Sequence, residues 1–390
     1  MKRALTLLLS LIMIIGLFTS CTPAAPGADT GGDTGEVVKV GWIGSLTGDQ
    51  AIWGQCERNT IQMLVDEVND NGGLLGKTLE LVALDTQGKG EEAYTVTRRL
   101  IEQDGVITIL GPNSSGEALG TIPALEAGGV PDIATVATNP KVTFDNGKVN
   151  PYNFRVCFID PYQGSVAAAY AFNEMGKTKA AVLYDQSLDY STGLTEFFIE
   201  QFEKLGGTIV AKEAFNSGDQ EFKTQLTKIK SAEPDVLFLP YFFKEVGLTA
   251  KQARELGLDV DLIGGDGWPS EQLFDIAKDE MQGGLFVNHL DYADPAVQDY
   301  TKLYTDEFGK PPELNGFLAW DAFKVFEAAV NKANSLDPED ITKALEGIEV
   351  QGITGFIKID PETHNPIGKE AAILRIEGEE YKFVTKYSVE

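Results

Sequence analysis

The sequence predicts an α/β protein of two doubly wound, Rossmann-like units, each built on a mainly parallel sheet. Short apolar runs alternate with amphipathic segments through residues 37–137, which is the βαβα order of a parallel sheet covered by helices on both faces. The alternation restarts after a loop at 138–153 and continues to residue 265. From residue 36 onward the chain has 355 residues, which is too long for one ordinary core and suits two domains.

The first unit begins with the apolar run VVKVGWIG, which favours a strand. The segment after it carries Ile61, Leu64, Val65 and Val68 three and four residues apart, as one buried face of a helix requires. The predicted elements of this unit are strand 37–44, helix 51–70, strand 78–84, helix 91–103, strand 106–110, helix 116–127 and strand 130–137.

The second unit repeats the pattern, and two helices and a β-rich tail follow it. Its predicted elements are helix 164–175, strand 179–184, helix 191–205, strand 206–215, helix 220–232, strand 234–240, helix 244–257 and strand 259–265. The later segments are helices 295–308 and 316–333, then hairpin-like β structure at 354–360 and 371–388. In open α/β sheets ligands bind beyond the carboxyl ends of the strands, so two such units predict a ligand cleft between them.

The N-terminus is typical of a secreted lipoprotein. Lys2 and Arg3 precede an apolar stretch at 5–18, which is too short to span a bilayer and fits a signal peptide over 1–20. Small residues then lead to Cys21, an arrangement that resembles the bacterial lipobox and predicts acylation of Cys21. The Pro-, Gly- and Thr-rich stretch that follows, within 21–36, predicts a flexible tether. We therefore expect a body held at the outer face of the cytoplasmic membrane or in the periplasm.

The charge excludes nucleic acid as a partner. The formal net charge is −27, and loss of the two positive charges of Lys2 and Arg3 with the signal peptide makes it −29. No basic stripe interrupts this acidic surface. Besides Cys21 the chain has only Cys56 and Cys157, for which a disulfide and two buried thiols both remain open.

A nucleotide site is excluded by spacing. The segment NGGLLGKT at 71–78 resembles a P-loop, but Gly72 and Gly76 enclose three residues where that motif needs four. The segment also ends a helix and starts a strand, which is the reverse of the P-loop order. A helix C-cap followed by a turn explains its glycines.

Nothing in the sequence requires catalysis, a metal or a cofactor. Ser114 and Ser115 lack the GxSxG arrangement, and the chain offers only His289 and His364 as imidazole bases. We interpret both histidines as surface or linker residues. No CxxC, HExxH or clustered His and carboxylate spacing indicates a transition-metal site.

The stretch GPNSSGEALG at 111–120 predicts an anion site. A strand leads into Gly and small hydroxyls and then into a helix, whose free amides and positive dipole end favour an anion. Ser115 can donate there, and Thr138 ends the next strand of the same unit. Ser115 as a simple helix cap is an equally good interpretation of this segment alone. The carboxylate of a small ligand fits the segment better than a phosphate or a catalytic oxyanion.

From about Val38 to the C-terminus the chain resembles the type I periplasmic binding proteins of the leucine/isoleucine/valine-binding class, the receptors of branched-chain amino acid ABC importers. The segments that carry the resemblance are VGWIGSLTGDQAIWG, VNDNGGLLGKTLELVALD, ILGPNSSGEAL, PDIATVAT, DPYQG and LIGGDGW. The resemblance implies a clamshell whose lobes are joined by three crossovers. It implies lobe 1 at 37–156 plus 289–369 and lobe 2 at 157–288 plus 370–390.

The resemblance also implies the ligand contacts. Ser115 and Thr138 match the positions that hold the ligand carboxylate, helped by the backbone of Asn113, Ser114, Val136 and Ala137. Asp266 matches the acidic residue that pairs with the α-amino group. The aromatic positions that line the pocket are Trp53, Tyr190, Phe242 and Phe317.

The function that follows is a monomeric, non-enzymatic receptor without cofactors that binds an amino acid, branched-chain or otherwise aliphatic. It would deliver the ligand to the transmembrane subunits of an ABC permease. Within the same fold the alternatives are a receptor for urea, a short amide or an aromatic acid, and a ligand sensor for a membrane receptor. Ligands without an ammonium group have no use for Asp266, so they rank second.

Overall fold

The computed structural model describes residues 36–389, so the predicted signal peptide, Cys21 and the tether up to residue 35 lie outside the described residues. The strands are β1 (Val37–Gly44), β2 (Thr78–Asp85), β3 (Ile109–Leu110), β4 (Asp132–Ala134), β5 (Phe144–Asp145), β6 (Lys148–Val149), β7 (Asn153–Arg155), β8 (Lys179–Asp185), β9 (Thr208–Phe215), β10 (Val236–Leu239), β11 (Asp261–Gly264), β12 (Leu285–Asn288), β13 (Glu349–Gly352), β14 (Gly355–Lys358), β15 (Ala371–Glu377) and β16 (Glu380–Tyr387).

The helices alternate with these strands. They are α1 (Ala51–Asp70), α2 (Gly90–Arg99), α3 (Ser115–Gly128), α4 (Asp160–Ala169), α5 (Asp189–Lys204), α6 (Lys223–Ser231), α7 (Phe243–Glu255), α8 (Glu271–Ala277), α9 (Pro295–Phe308), α10 (Leu314–Ala333) and α11 (Pro338–Leu345). Single π-helical turns extend α2 and α4, at Leu100–Asp104 and Tyr170–Glu174. None of the helices described is long and apolar enough to cross a membrane.

Two separate sheets organise the fold. The first has the order β2-β1-β3-β4-β7 with all strands parallel. The second has the order β16-β15-β12-β11-β10-β8-β9, in which β8 to β12 are parallel and β15 and β16 pair antiparallel at one edge. Central strands such as β10, with sequence VLFL, are buried on both faces, as expected of parallel sheets covered by helices.

Helices from two distant parts of the chain cover the first sheet. The apolar face of α1, with Ile61 and Leu64, packs in one core with Phe323 and Phe326 of α10 and with residues of α9 and α11. We call the first sheet with α1–α3 and α9–α11 the first lobe, and the second sheet with α4–α8 the second lobe. The chain therefore passes between lobes three times, after β7, after β12 and between β14 and β15.

The structure corrects several predicted elements. The strands expected over 106–110 and 130–137 shrink to β3 and β4. Pro131, which has no N–H to donate to a ladder, lies directly before β4, and Gly111, with φ of +90°, ends β3 at the residue predicted. The loop expected over 138–153 contains the short β5–β6 hairpin and runs into β7, the edge strand of the first sheet. Helices α8 and α11 had no counterpart among the predicted elements.

Both cysteines left open by the sequence are buried thiols. Cys56 lies in α1 and Cys157 follows β7, and in the described part of the chain neither is in a disulfide. Burial raises the pKa of each thiol to about 12, so both are protonated and unreactive at neutral pH.

Candidate functional site

The strand-end loops of the two lobes meet at one small cavity. The loops after β3 and β4 approach it from the first lobe, and the loops after β10 and β11 approach it from the second. The cavity is narrow, with about 20 Å³ open to the centre of a water-sized sphere. Its lining residues are Trp53, Asn113, Ser114, Ser115, Val136, Tyr190, Phe242, Asp266, Gly267 and Asn315.

Most of the predicted site residues line this cavity, and three do not. Ala137 is buried behind it and its carbonyl accepts a hydrogen bond from Arg155 Nη1 at 2.6 Å. Thr138 is also fully buried, with an Oγ1 that has no hydrogen-bond partner among residues 36–389. Phe317 packs in the core against Tyr300, at 5.0 Å between ring centroids. A shift of two residues along α10 turns a side chain through about 200°, so Asn315 lines the cavity where Phe317 was expected.

The first-lobe face is rich in free hydrogen-bond donors. Helix α3 begins at Ser115, and the Ser115 hydroxyl accepts a bond from the backbone N–H of Asn139 at 3.1 Å, which leaves its own hydrogen to donate. Both amide atoms of Asn113 are buried without a partner in the described part of the chain. These groups and the positive end of α3 surround one point, which therefore attracts an anion.

Two buried glutamates lie behind this donor face. Glu117 accepts bonds from Ser114 Oγ at 2.5 Å and from Ser45 Oγ at 3.2 Å, while Glu57 accepts from Thr135 Oγ1 at 2.7 Å and from Asn315 Nδ2 at 3.2 Å. Burial raises the pKa of both, and that of Glu57 to about 8. Glu57 is thus mostly protonated at neutral pH, so it places little negative charge near the anion site.

The second-lobe face presents carboxylates. Asp266 follows β11, and its two oxygens are held by separate partners: Tyr190 Oη donates to Oδ1 at 2.9 Å, and His289 Nε2 lies 2.8 Å from Oδ2. The Tyr190 hydroxyl in turn accepts from the backbone N–H of Gly267 at 3.2 Å. These bonds use only part of the accepting capacity of a carboxylate, so Asp266 can still receive a donor from the cavity.

A second buried carboxyl group lies close to Asp266 and was missed by sequence reasoning. Asp160, the first residue of α4, is fully buried, and neither of its oxygens has a partner within the described range. Burial raises its pKa well above the usual value, and the charge of Asp266 raises it further. Asp160 belongs to the DPYQG segment, where an acidic residue at a helix start beyond a strand was the available signal.

Both histidines lie in connecting segments, as interpreted, but the expectation that they are at the surface is wrong. His289 is buried, bonds Asp266 and stacks on Phe158, and His364 is buried and stacks on Phe154. His289 follows the carboxyl end of β12, where the chain returns to the first lobe. Its position at a strand end in a parallel sheet was the signal that could have placed it at the cleft.

Aromatic side chains close the remaining sides of the cavity. Trp53 meets Phe242 edge to face with ring centroids 5.2 Å apart, and Tyr190 stacks on Phe242 at 5.5 Å. Trp53 reaches across the cleft, because its Nε1 donates to the Pro269 carbonyl at 3.2 Å. Lys244 and Asp49 add an ion pair of 2.7 Å between the lobes. The contacts hold the lobes closed around a space with apolar walls.

The arrangement suits binding better than bond cleavage. The His289 imidazole bonds Asp266 through Nε2, and its Nδ1 has no hydrogen-bond partner among residues 36–389, so neither Ser114 nor Ser115 is paired with it as a nucleophile would be. Within residues 36–389 no group of three or more His, Cys, Asp or Glu side chains is placed to hold a metal ion. What remains is a donor-rich face opposite an acidic face, with aromatic walls between them.

Comparisons with known proteins show the family to which the chain is similar. Residues 37–380 match the family described as periplasmic binding protein. A Leu/Ile/Val-binding protein of Rhizobium johnstonii is 30% identical over 325 residues, covering 82% of this chain and 86% of the relative.

Solved structures give the same result. The leucine binding protein LivK of Thermotoga maritima superposes with a TM-score of 0.83 at 32% identity, covering 90% of this chain and 99% of that one. The branched-chain amino acid binding protein LivJ of Streptococcus pneumoniae, in complex with isoleucine, gives 0.82 at 27% identity, with 90% and 100% covered. A solute binding protein of Rhodopseudomonas palustris, in complex with 3,4-dihydroxybenzoic acid, gives 0.80 at 25% identity, with 90% and 97% covered.

Proposed function

The chain belongs to the periplasmic binding protein family, and on that premise we propose that it is an extracytoplasmic receptor for an amino acid. The ligand would be branched-chain or otherwise aliphatic, would bind in the cavity between the lobes, and would pass to the membrane subunits of an ABC permease. The protein itself would change no bond in its ligand. The relatives and structures named for leucine, isoleucine and valine support this choice.

One observation carries the proposal: the two faces of a single cavity match the two charges of a zwitterion. The first-lobe face offers the Ser115 hydroxyl, the unpartnered Asn113 amide and the start of α3 to a carboxylate. The second-lobe face offers the Asp266 carboxylate to an ammonium group. A zwitterion that leaves water needs partners for both charges, and here each charge finds them on a different lobe.

The residues that line the cavity indicate which class of ligand side chain fits there. Trp53 and Phe242 present ring surfaces to the cavity, and Val136 adds an aliphatic one. Among residues 36–389 no lysine or arginine lines the space, so an acidic side chain would lack a counter-ion there. Because the ligand would touch both lobes, it would favour the closed form over an open one.

A second candidate is an aromatic acid. The Rhodopseudomonas palustris protein bound to 3,4-dihydroxybenzoic acid has this fold, and the aromatic walls of the cavity are compatible with such a ring. An aromatic acid would pair with the donor face but would leave Asp266 without a ligand partner, so we rank it below an amino acid.

A thermal-shift screen distinguishes the candidates, since a ligand that binds the native state raises the melting temperature by mass action. The panel holds aliphatic and polar amino acids, urea, acetamide and benzoates. We expect the largest shifts from leucine, isoleucine or valine. A larger shift from a benzoate or an amide than from any amino acid would reject the amino-acid assignment.

We also propose the cellular context and the lobe boundaries. Acylated Cys21 would tether a monomeric body outside the cytoplasmic membrane, and the lobes would divide at 156/157, 288/289 and 369/370. The family supports an extracytoplasmic location, and the three connections between the sheets support the divisions. Cys21→Ala should move the protein from the membrane fraction to the soluble fraction, whereas Cys56→Ala should leave it with the membrane.

A further inference from the structure

Two of the three connections between the lobes meet at one stacked pair of rings. Phe158 lies in the first connection, between β7 and α4, and His289 lies in the second, directly after β12. Their ring centroids are 3.6 Å apart and the ring planes differ by 19°. Neither ring belongs to a helix or strand, so their stacking joins the segments that must change conformation if the lobes open.

The same histidine reaches the ligand cavity. Its Nε2 lies 2.8 Å from Asp266 Oδ2, and both side chains are almost fully shielded from solvent, with exposures of 0% for His289 and 2% for Asp266. Burial lowers the pKa of His289, so the ring is neutral at neutral pH and donates the Nε2 hydrogen to the carboxylate. With Tyr190 on Oδ1, the Asp266 carboxylate is fixed in orientation from both sides.

We propose that His289 is a positioning residue that holds the Asp266 carboxylate toward the ligand ammonium group. Through its stacking on Phe158 it also links this carboxylate to the hinge, by which we mean the connections between the lobes at Phe158 and His289. The inference rests on the proposed function, because it assumes that the ligand carries an ammonium group. The class of ligand that benefits is a primary amine next to a carboxylate. A ligand that has the carboxylate alone gains nothing from His289.

The molecule contains a matched control for this claim. His364 is the only other histidine, it is also buried, and it stacks on Phe154 with centroids 4.0 Å apart. Its Nδ1 contacts the backbone carbonyl of Asn153 at 3.1 Å, and no carboxylate within residues 36–389 bonds its ring. Both histidines therefore stabilise packing, and only His289 touches a residue of the ligand cavity. Because His364 has φ of +57°, Asn is the suitable replacement.

The test compares leucine with 4-methylpentanoate, which lacks only the amino group, by titration calorimetry on the whole protein. We expect the wild type to prefer leucine. His289→Leu should reduce that preference about tenfold to a hundredfold, as expected for loss of a hydrogen bond to a charged group, while leaving the affinity for 4-methylpentanoate unchanged. His289→Gln, which can still donate to Asp266, should restore most of the preference. His364→Asn should lower the melting temperature without changing the preference.

The outcomes separate the two proposals. If the wild type binds both compounds equally, the amino-acid assignment fails and the role of His289 fails with it. If the wild type prefers leucine and His289→Leu keeps the full preference, the receptor function stands and the positioning role is refuted. If His289→Leu does not fold, the preference for leucine over 4-methylpentanoate is measured in His289→Gln and Phe158→Leu instead. A wild-type preference in Phe158→Leu would refute the link to the hinge.

Nitrogen NMR of the imidazoles gives a readout that packing alone would not move. The chain has two histidines, and His364→Asn assigns their signals. We expect the Nε2–H tautomer for His289 and a change in its signals when leucine is added. Identical His289 signals with and without leucine would contradict the proposal.

Discussion

The two faces of the cleft are built from the same unit, a parallel strand that ends in a loop before a helix, yet they prepare opposite electrostatic environments. On the first lobe the loop after β3 places Asn113 and Ser115 forward, and the nearby acids, Glu57 and Glu117, lie behind them with raised pKa values. On the second lobe the loop after β11 places a carboxylate, Asp266, forward and surrounds it with donors. The backbone geometry creates a place for a charged ligand group, and side chains decide the sign of that charge.

The partners of each face differ in the same way. The donors of the first face are partly unused, since Asn113 has no partner in the described residues and Ser115 has a hydrogen to give. The oxygens of Asp266 are already oriented by Tyr190 and His289. The first face therefore leaves donors free for a ligand, while the Asp266 carboxylate of the second face is already oriented without one. A single substitution should therefore weaken ligand affinity most when it changes the second face.

The largest effect is expected at Asp266. Asp266→Asn keeps the shape but removes the charge that faces the ligand ammonium group, and loss of one partner of a buried ion pair weakens binding by about 2–5 kcal/mol. We expect the Kd for leucine to rise by about a hundredfold or more in calorimetric titrations. Asp279→Asn, an exposed substitution in the same lobe, serves as the control. Unchanged affinity for leucine in Asp266→Asn would show that the acidic face does not bind the ligand.

A smaller loss is expected at Ser115. Ser115→Ala removes one hydroxyl donor from the carboxylate site, but Asn113 and the amides of α3 remain, so we expect a rise in Kd of about tenfold. The exposed Ser231→Ala should bind like the wild type. Equal losses in Ser115→Ala and Asp266→Asn would contradict the proposed difference between the faces.

The protonated acid behind the first face predicts a dependence of stability on pH. In the unfolded chain Glu57 ionises near its ordinary pKa of 4.5, whereas the folded carboxyl keeps its proton to about pH 8. The stability that this group contributes is therefore complete below pH 4.5 and is lost as the pH rises to about 8. Glu57→Gln resembles the protonated form and cannot ionise.

Melting curves at pH 5, 7 and 9 test this expectation. Relative to the wild type, Glu57→Gln should gain about 5 °C between pH 5 and pH 9, and Glu102→Gln at an exposed position should show no such trend. A constant difference between Glu57→Gln and the wild type at all three values would show that Glu57 is ionised in the fold.

The smallest effect on binding is expected at Phe317. Phe317→Leu alters the core beside Tyr300 and should lower the free energy of unfolding by about 1 kcal/mol. The Kd for leucine should stay within about twofold, because the ring does not line the cavity. Phe242→Leu, which changes a cavity wall, should weaken leucine about tenfold. If fluorescence titration shows a larger loss of leucine affinity in Phe317→Leu than in Phe242→Leu, Phe317 contacts the ligand.

The strand ends that form the two faces could be predicted from the sequence, but the orientation of α10 could not. Apolar runs and helix periodicity located the strands whose carboxyl ends meet, which placed Ser115 at a strand end facing a cleft. Val136 and Asp266 were placed by the family resemblance, and all three residues line one cavity. The rotation of a long buried helix was harder to predict. Nearly every residue at the start of α10 is buried, so the pattern could not distinguish Asn315 on the cavity from Phe317 in the core.

Long-range pairs were beyond single-sequence reasoning. His289 looks like a loop residue until its stacking on Phe158 and its bond to Asp266 are known, and both partners come from other parts of the chain. Glu57 could not be placed for the same reason: its position within an amphipathic helix indicates a solvated acid. Only the contacts with Thr135 and Asn315 reveal it as a buried one.

The central claim is that one cavity binds both charges of an amino acid, one on each lobe. Titration calorimetry of the wild type with leucine, 4-methylpentanoate and 3-methylbutylamine tests it directly, because the two analogues each lack one charged group. We expect leucine to bind at least about a hundredfold more tightly than either analogue. An analogue that binds as tightly as leucine would show that one of the two faces does not hold the ligand.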